Sequence, residues 1–121
     1  MSTQGQQIRE TYVAGADLRE RQFRFVTVGA NARVTATGDG AKADGVLLND
    51  PNTGEAATVA VFGRVIVEAG GEITAGAEVQ SGANGVVLAA TSDNIRVGRA
   101  LEAAVSGQLI TVDFYKGGNA A

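Results

Sequence analysis

Residues 43–62 read ADGVLLNDPNTGEAATVAVF, and residues 96–115 read RVGRALEAAVSGQLITVDFY. Laid over each other without a gap, they share Gly45 with Gly98, Leu48 with Leu101, Gly54 with Gly107, Thr58 with Thr111 and Val59 with Val112. Every pair lies 53 positions apart. The offset carries upstream through Val26/Val79, Gly29/Gly82, Ala30/Ala83, Asn31/Asn84, Val34/Val87 and Ala36/Ala89. Before Val26 the register slips by two, and AGADL (14–18) faces AGGEI (69–73). Two copies are too few for a solenoid, which needs about three. The pattern therefore predicts a duplicated unit closing on itself, with copies at about 11–62 and 66–115.

The second copy shows the grammar of the unit. AEVQS is a short strand, GANG (82–85) a turn, VVLAA a returning strand and TSDN a further turn. IRVGRAL crosses Gly98 as a third strand, EAAVSG turns at Gly107, and QLITVDFY is the last strand. Short strands between Gly-bearing turns indicate an all-β barrel or sandwich of antiparallel strands. Leu101–Val105 is the one stretch with a helical look, so the fold holds at most one short helix, near 101–106.

Strand side chains alternate in face. Ile110, Val112 and Phe114 should thus point inward, between Leu109, Thr111, Asp113 and Tyr115. Their counterparts Ala57, Val59 and Val61 are apolar and in phase, as a shared core requires. Pairing small Ala57 with Ile110 and Val61 with Phe114 would suit interdigitation. VAVFGRVIVEAG (59–70) is apolar on both faces, with Gly63 and Arg64 in its middle. Two readings stay open for it: a strand with one face in the core and the other at a subunit contact, or a central strand pair joined at Gly63.

The 121 residues suit one domain, expected over 11–115, with a flexible arm at 1–10 and a flexible tail at 116–121. Its 21 Ala, 17 Gly and 15 Val outweigh four Phe, two Tyr and no Trp. Small side chains bury little area each, at about 25 cal/mol per Å². Such a core predicts added stabilisation from self-association or from docking on a larger surface.

Chemistry is hard to find. With no His and no Cys, the usual general base, metal ligand and thiol nucleophile are missing. Ser81, Ser92 and Ser106 sit in turn-like contexts without a nucleophile elbow. Asp39, Asp50 and Asp93 lie beside turn residues, where Asp usually bonds backbone. NDPNTGE (49–55) lacks the spacing and closing Glu of a calcium loop. No catalytic residue, cofactor or metal is expected. The net charge of −3 offers no footprint for nucleic acid, and no run is apolar enough for a membrane span. The polar start MSTQGQQIRE lacks the apolar stretch of a signal peptide, which predicts synthesis in a cytoplasm.

Residues 1–25 carry a net +1 and residues 26–121 a net −4. Eight of the ten basic residues are Arg, a type favoured at interfaces. Either the N-terminal segment docks on an acidic protein surface or it is a solvated arm. The candidate partner or subunit contacts are Arg9, Arg19, Arg21, Arg24, Phe62 and Arg64.

An ordered series of motifs then stands out: Gly45, Gly54–Glu55, Gly63, the ITAG step at Ile73–Gly76, and a closing VGRALEAA-x-x-G containing Gly98, Leu101, Glu102, Ala103, Ala104 and Gly107. Over about 26–115 this series resembles the phage capsid cement, or head decoration, proteins. The resemblance implies a non-enzymatic virion protein on the outer surface of an assembled phage head, made in the host bacterial cytoplasm. It implies the major capsid protein as partner and a homo-oligomer, with a trimer favoured and a dimer the alternative. A small β carbohydrate-binding or adhesion module and a carboxylate-only enzyme are the rivals. The first needs an aromatic platform, hard to build from Tyr12, Phe23, Phe25, Phe62, Phe114 and Tyr115. The second needs a deep pocket with two convergent acids. Within the copies, the polar turn NDPN (49–52) is expected to face outward and EAAV (102–105) to be buried.

Overall fold

A computed structural model describes residues 7–90 and 96–114. They form nine strands: β1 (Gln7–Ala14), β2 (Phe25–Val28), β3 (Arg33–Ala36), β4 (Gly45–Leu47), β5 (Ala56–Glu68), β6 (Glu78–Ser81), β7 (Val87–Ala89), β8 (Gly98–Ala100) and β9 (Leu109–Phe114). Single 3-10 turns stand at Ala30–Ala32 and Ala83–Gly85, and no α-helix occurs among the described residues. The strands hydrogen-bond in the order β1-β3-β2-β4-β5-β9-β8-β6-β7, and β1 also pairs with β5. That extra pairing closes the first five strands into a small barrel. Within it, all pairs are antiparallel except β1 with β3.

The 53-residue offset is a three-dimensional equivalence. Val26 faces Ala36 and Val79 faces Ala89; Val46 faces Ala60 and Arg99 faces Asp113. Turns match bond for bond: Gly29 N–H donates to Arg33 O at 2.6 Å, and Gly82 N–H to Val86 O at 2.7 Å. Asn31 and Asn84 both take left-handed conformations, with φ of 60° and 59°; Asn tolerates these because its short polar side chain bonds locally. A Cβ on Gly45 would meet Val59 and lie 2.6 Å from Ala60 O; one on Gly98 would meet Asp113 O. Close strand approach therefore demands glycine at both points.

The register slip has a position. Leu18 N–H donates to Pro51 O as Ile73 N–H donates to Ala104 O, an offset of 55 on the donor side. Arg24 N–H donates to Arg21 O as Ala77 N–H donates to Thr74 O, an offset of 53. The two extra residues in the first unit are thus Arg19 and Glu20. Upstream of them the 55 offset maps β1 onto the second half of β5. Tyr12 faces Ala57 as Val67 faces Ile110.

One strand consequently serves both units. The first half of β5 closes the first barrel against β1 and β4, and its second half opens the second unit against β9. The second unit closes through a parallel bridge between Ala69 and Val87, the counterpart of the β1–β3 contact. The expected boundary between 62 and 66 falls inside this continuous strand, which is not a pair joined at Gly63. Gly63 sits at the crossing with φ 106°, and Val61 is the extra residue of a bulge opposite Ile8 and Arg9.

There are two cores. Ala14, Leu18, Val26, Val34, Leu47, Ala57, Val59 and Val61 fill the first barrel. Their equivalents Ala69, Ile73, Val79, Val87, Ala100, Ile110, Val112 and Phe114 fill the second. Strand faces were legible, but Ala57 and Val61 do not interdigitate with Ile110 and Phe114. Each set closes on itself because each unit's strands curl round its own axis. Apolar character on both faces of 59–61 comes from burial between the units rather than from a subunit contact: Val59 and Val61 point into one core, Ala60 into the other.

Two further expectations change. Strand pairing begins at Gln7, so the arm expected over 1–10 loses residues 7–10 to β1; residues 1–6 lie outside the described part. Residues 101–106 hold bends and a turn around the Ile73–Ala104 bridge and no helix, within the expected limit of one short helix. EAAV is mostly exposed, with Val105 at 54 %, while only Ala104 is buried. Its counterpart in NDPN is the buried Pro51. The turn TSDN, the tail 116–121 and Tyr115 lie outside the described residues.

Candidate docking surface

The two barrels touch through the outward face of the first. Phe25, Val46 and Ala60 lie side by side across β2, β4 and β5 and point away from their own core. All three are fully buried, in contact with the second core. The Phe25 and Phe114 rings pack with centroids 6.0 Å apart, tilted by 31°, a favourable aromatic geometry. Gly85, φ 81°, lets the Phe25 carbonyl approach a space that any Cβ would fill. Polar ties frame this contact. Glu68 N–H donates to Phe23 O at 2.9 Å, and Gly40 N–H to Ser81 O at 2.8 Å. Arg24 donates to Glu68 Oε1 at 3.2 Å and to Asn84 O at 3.2 Å.

In the second unit the same row is charged. Glu78 replaces Phe25, Arg99 replaces Val46, and Asp113 replaces Ala60. Arg64 extends the row on β5. All four are exposed, and Arg96 backs the row with its Nε 2.8 Å from Glu78 Oε1. Beside it stand the large exposed apolar side chains Ile66 (43 %), Leu101 (44 %), Val105 (54 %) and Leu109 (52 %). Their equivalents in the first unit are Thr11, Leu48, Asn52 and Ala56. Since both copies hold one fold, folding alone does not demand large apolar groups at Ile66, Val105 and Leu109. A shallow groove of about 310 Å³ continues the patch along Glu72, Thr74, Ala103 and Gln108.

The candidates expected from the sequence do not gather at one place. Arg19 forks onto Asp17, with Nε–Oδ1 at 2.9 Å and Nη2–Oδ2 at 2.8 Å. The fork and the Arg19 backbone N–H hold the Asp17 carboxyl down at about 2. Arg19 and Arg21 line a surface hollow of about 570 Å³ with Asp17 and Glu20, around the two-residue insertion. Arg24 is held between the barrels. Arg64 lies on the charged row of the second unit. Arg9 and Phe62 are strand positions of β1 and β5 whose side chains lie outside the described part.

The acids act as structural acceptors. Asp44 Oδ2 accepts from Val28 N–H at 2.9 Å, and Glu55 Oε1 from Asn52 N–H at 2.8 Å. Among the described residues no group of three or more His, Cys, Asp and Glu could hold a metal ion. Among them, too, no helix is long and apolar enough to cross a membrane. Sequence reading named only Arg64 of the charged row, because its members come from four separate segments. The signal was nonetheless present: at the 53-residue offset, three apolar residues become charged together.

The sequence model of phage cement proteins matches residues 3–114. The chain belongs to the phage cement protein family. Membership gives it a structural role at the phage capsid, to which a cement protein binds. Among solved structures, the head fiber N base of bacteriophage phi29 is similar, with a TM-score of 0.74 and 21 % identity, covering 91 % of this chain and 95 % of that one. At that identity the likeness shows the fold, and it is this small all-β fold. Among curated protein sequences none matches.

Proposed function

We propose that the protein seats on the outer surface of an assembled phage head and bridges neighbouring copies of the major capsid protein. The match to the phage cement family over residues 3–114 carries this reading. A molecule that contacts two capsomers binds the intact shell and not its separated parts. Mass action then stabilises the state it binds, by about 2.7 kcal/mol per site at a hundredfold excess over Kd. The internal pressure of packaged DNA acts against that added free energy.

The surfaces fit such work. The hollow lined by Arg19, Arg21, Asp17 and Glu20 offers mixed charge for polar docking on the shell, and the apolar patch of the second unit supplies area to bury. Self-association, three-fold rather than two-fold, is part of the proposal, as is synthesis in the host cytoplasm.

The test is cosedimentation of the purified protein with undecorated, expanded capsids. Saturable binding at a fixed ratio to the capsid protein is expected. Protein left in the supernatant at every concentration would overturn the reading.

A further inference from the structure

We infer that Asn84, in the turn that meets the other barrel, deamidates spontaneously, and that the contact between the barrels sets the rate. The pair Asn84–Gly85 arises from two separate structural demands. The turn needs a residue that accepts a left-handed backbone, and Asn84 supplies it with φ 59° and ψ 24°. The contact needs a residue without Cβ. A Cβ on Gly85 would collide with the Phe25 carbonyl oxygen and lie 3.0 Å from the Phe25 nitrogen. The equivalent turn of the first unit carries Asn31 followed by Ala32. Docking of the barrels has therefore put an Asn–Gly pair in this turn, with Asn84 exposed to water.

Such a pair carries its own reaction. The main-chain nitrogen of Gly85 attacks Cγ of Asn84, and a bond forms between them. The Gly85 proton is lost to water, the Cγ–Nδ2 bond breaks, and Nδ2 takes up a proton and leaves as ammonia. Water then opens the cyclic imide. Attack at Cγ leaves Asp, and attack at the main-chain carbonyl leaves isoaspartate. The sum is amide plus water to acid plus ammonia, with nothing oxidised or reduced. A side chain on the following residue hinders the first attack, so Asn31–Ala32 is the slower of the two turns.

The folded turn holds the reaction back. With ψ at 24°, the Gly85 nitrogen is turned away from the Asn84 Cβ, and the ring cannot close until the turn opens. Opening breaks the bond from Gly85 N–H to Gly82 O at 3.1 Å and the tie from Arg24 Nη1 to Asn84 O at 3.2 Å. That tie comes from the other barrel, and the same guanidinium donates to Glu68 Oε1. The rate therefore follows local opening of the contact rather than unfolding of the whole chain. The product acts back on the contact. Isoaspartate lengthens the main chain by one carbon just before Gly85, which then no longer fits against the Phe25 carbonyl.

The inference does not rest on capsid binding, and its test uses no capsid. Full-length protein is incubated in mildly alkaline buffer below its melting temperature, and peptide mapping by mass spectrometry follows each Asn with time. Asn84 should convert ahead of Asn31, Asn49 and Asn52, with isoaspartate among the products. Arg24→Ala should speed the conversion of Asn84 about tenfold, because a bond from a charged donor is lost from the closed turn. Val34→Ala, in the core of the first barrel, costs the fold comparable stability. It leaves the contact intact and should change the rate by less than about twofold. Circular dichroism checks that both variants are folded during incubation. Chains with isoaspartate at position 84 carry one more negative charge, separate by anion exchange, and should melt below fresh protein. Asn84 converting no faster than Asn31, an unchanged rate in Arg24→Ala, equal acceleration in Val34→Ala, or aged chains that melt like fresh protein would overturn the inference.

Discussion

Equivalent positions in the two units should differ sharply in cost, and Phe25 against Glu78 is the clearest pair. Phe25→Ala removes a ring with 0 % exposure that packs on Phe114 between the barrels. Truncating a buried Phe costs about 3–5 kcal/mol, transfer and cavity together. With an unfolding entropy of about 2.1 cal/mol/K per residue, 121 residues give about 0.25 kcal/mol/K. The melting temperature should therefore fall by about 12–20 °C. Glu78→Ala touches the same strand position, where the side chain is 53 % exposed, but it takes the ion-pair partner from an Arg96 side chain only 20 % exposed. Losing a half-buried pair of this kind costs about 1–2 kcal/mol, so the shift should stay under about 8 °C. Calorimetry of both variants at equal concentration checks the contrast. Similar shifts for the two, or a loss below about 1 kcal/mol for Phe25→Ala, would refute the claim that the barrels are held by this apolar row.

Gly45→Ala and Gly98→Ala should each destabilise by about 1–3 kcal/mol, and by similar amounts, because each Cβ meets strand backbone; chemical denaturation measures both. Gly54→Ala and Gly107→Ala meet nothing within 4 Å, so only backbone strain at φ of 84° and 91° acts, at about 1–2 kcal/mol each. Asp17 should titrate at about 2 by NMR rather than at its usual 3.8, and Arg19→Ala should return it toward that value. The folded pKa is the depressed one, so the stabilisation from this pair is present above 3.8 and is lost as pH falls through about 2.

Local features of the fold were readable because they are local in cause. Alternation in QLITVDFY fixes which side chains enter a core, and Gly-bearing turns fix where strands end. The repeat register then carries every turn of one unit onto the other. What escaped was the partner of each strand. Nothing in VAVFGRVIVEAG says that one strand closes a barrel and opens another; that follows from pairing with β1 on one stretch and β9 on the next. The same gap hid the second core and the start of β1 at Gln7. EAAV was expected inside on hydropathy. It lies outside because the Ile73–Ala104 bridge turns only Ala104 inward.

The candidate surface was legible only in part. Arg19 and Arg21 mark an insertion that the repeat itself identifies. Arg24 reads from sequence as one more N-terminal cation, yet it lies between the barrels on Glu68, 44 residues away. Phe23 takes φ 65° where the other unit has Gly76 at 86°, a conformation no sequence pattern announces for an aromatic residue. The backbone bonds of Phe23 to Leu47 and Glu68 hold it there.

The most direct test of the central claim is the thermal stability of DNA-filled heads without their cement protein, measured with and without saturating added protein. Dye accessibility of the DNA during a temperature ramp reports rupture. The account predicts that rupture moves to higher temperature, and that the shift grows with protein concentration until the sites are full. Heads that bind the protein and yet release DNA at an unchanged temperature would contradict it.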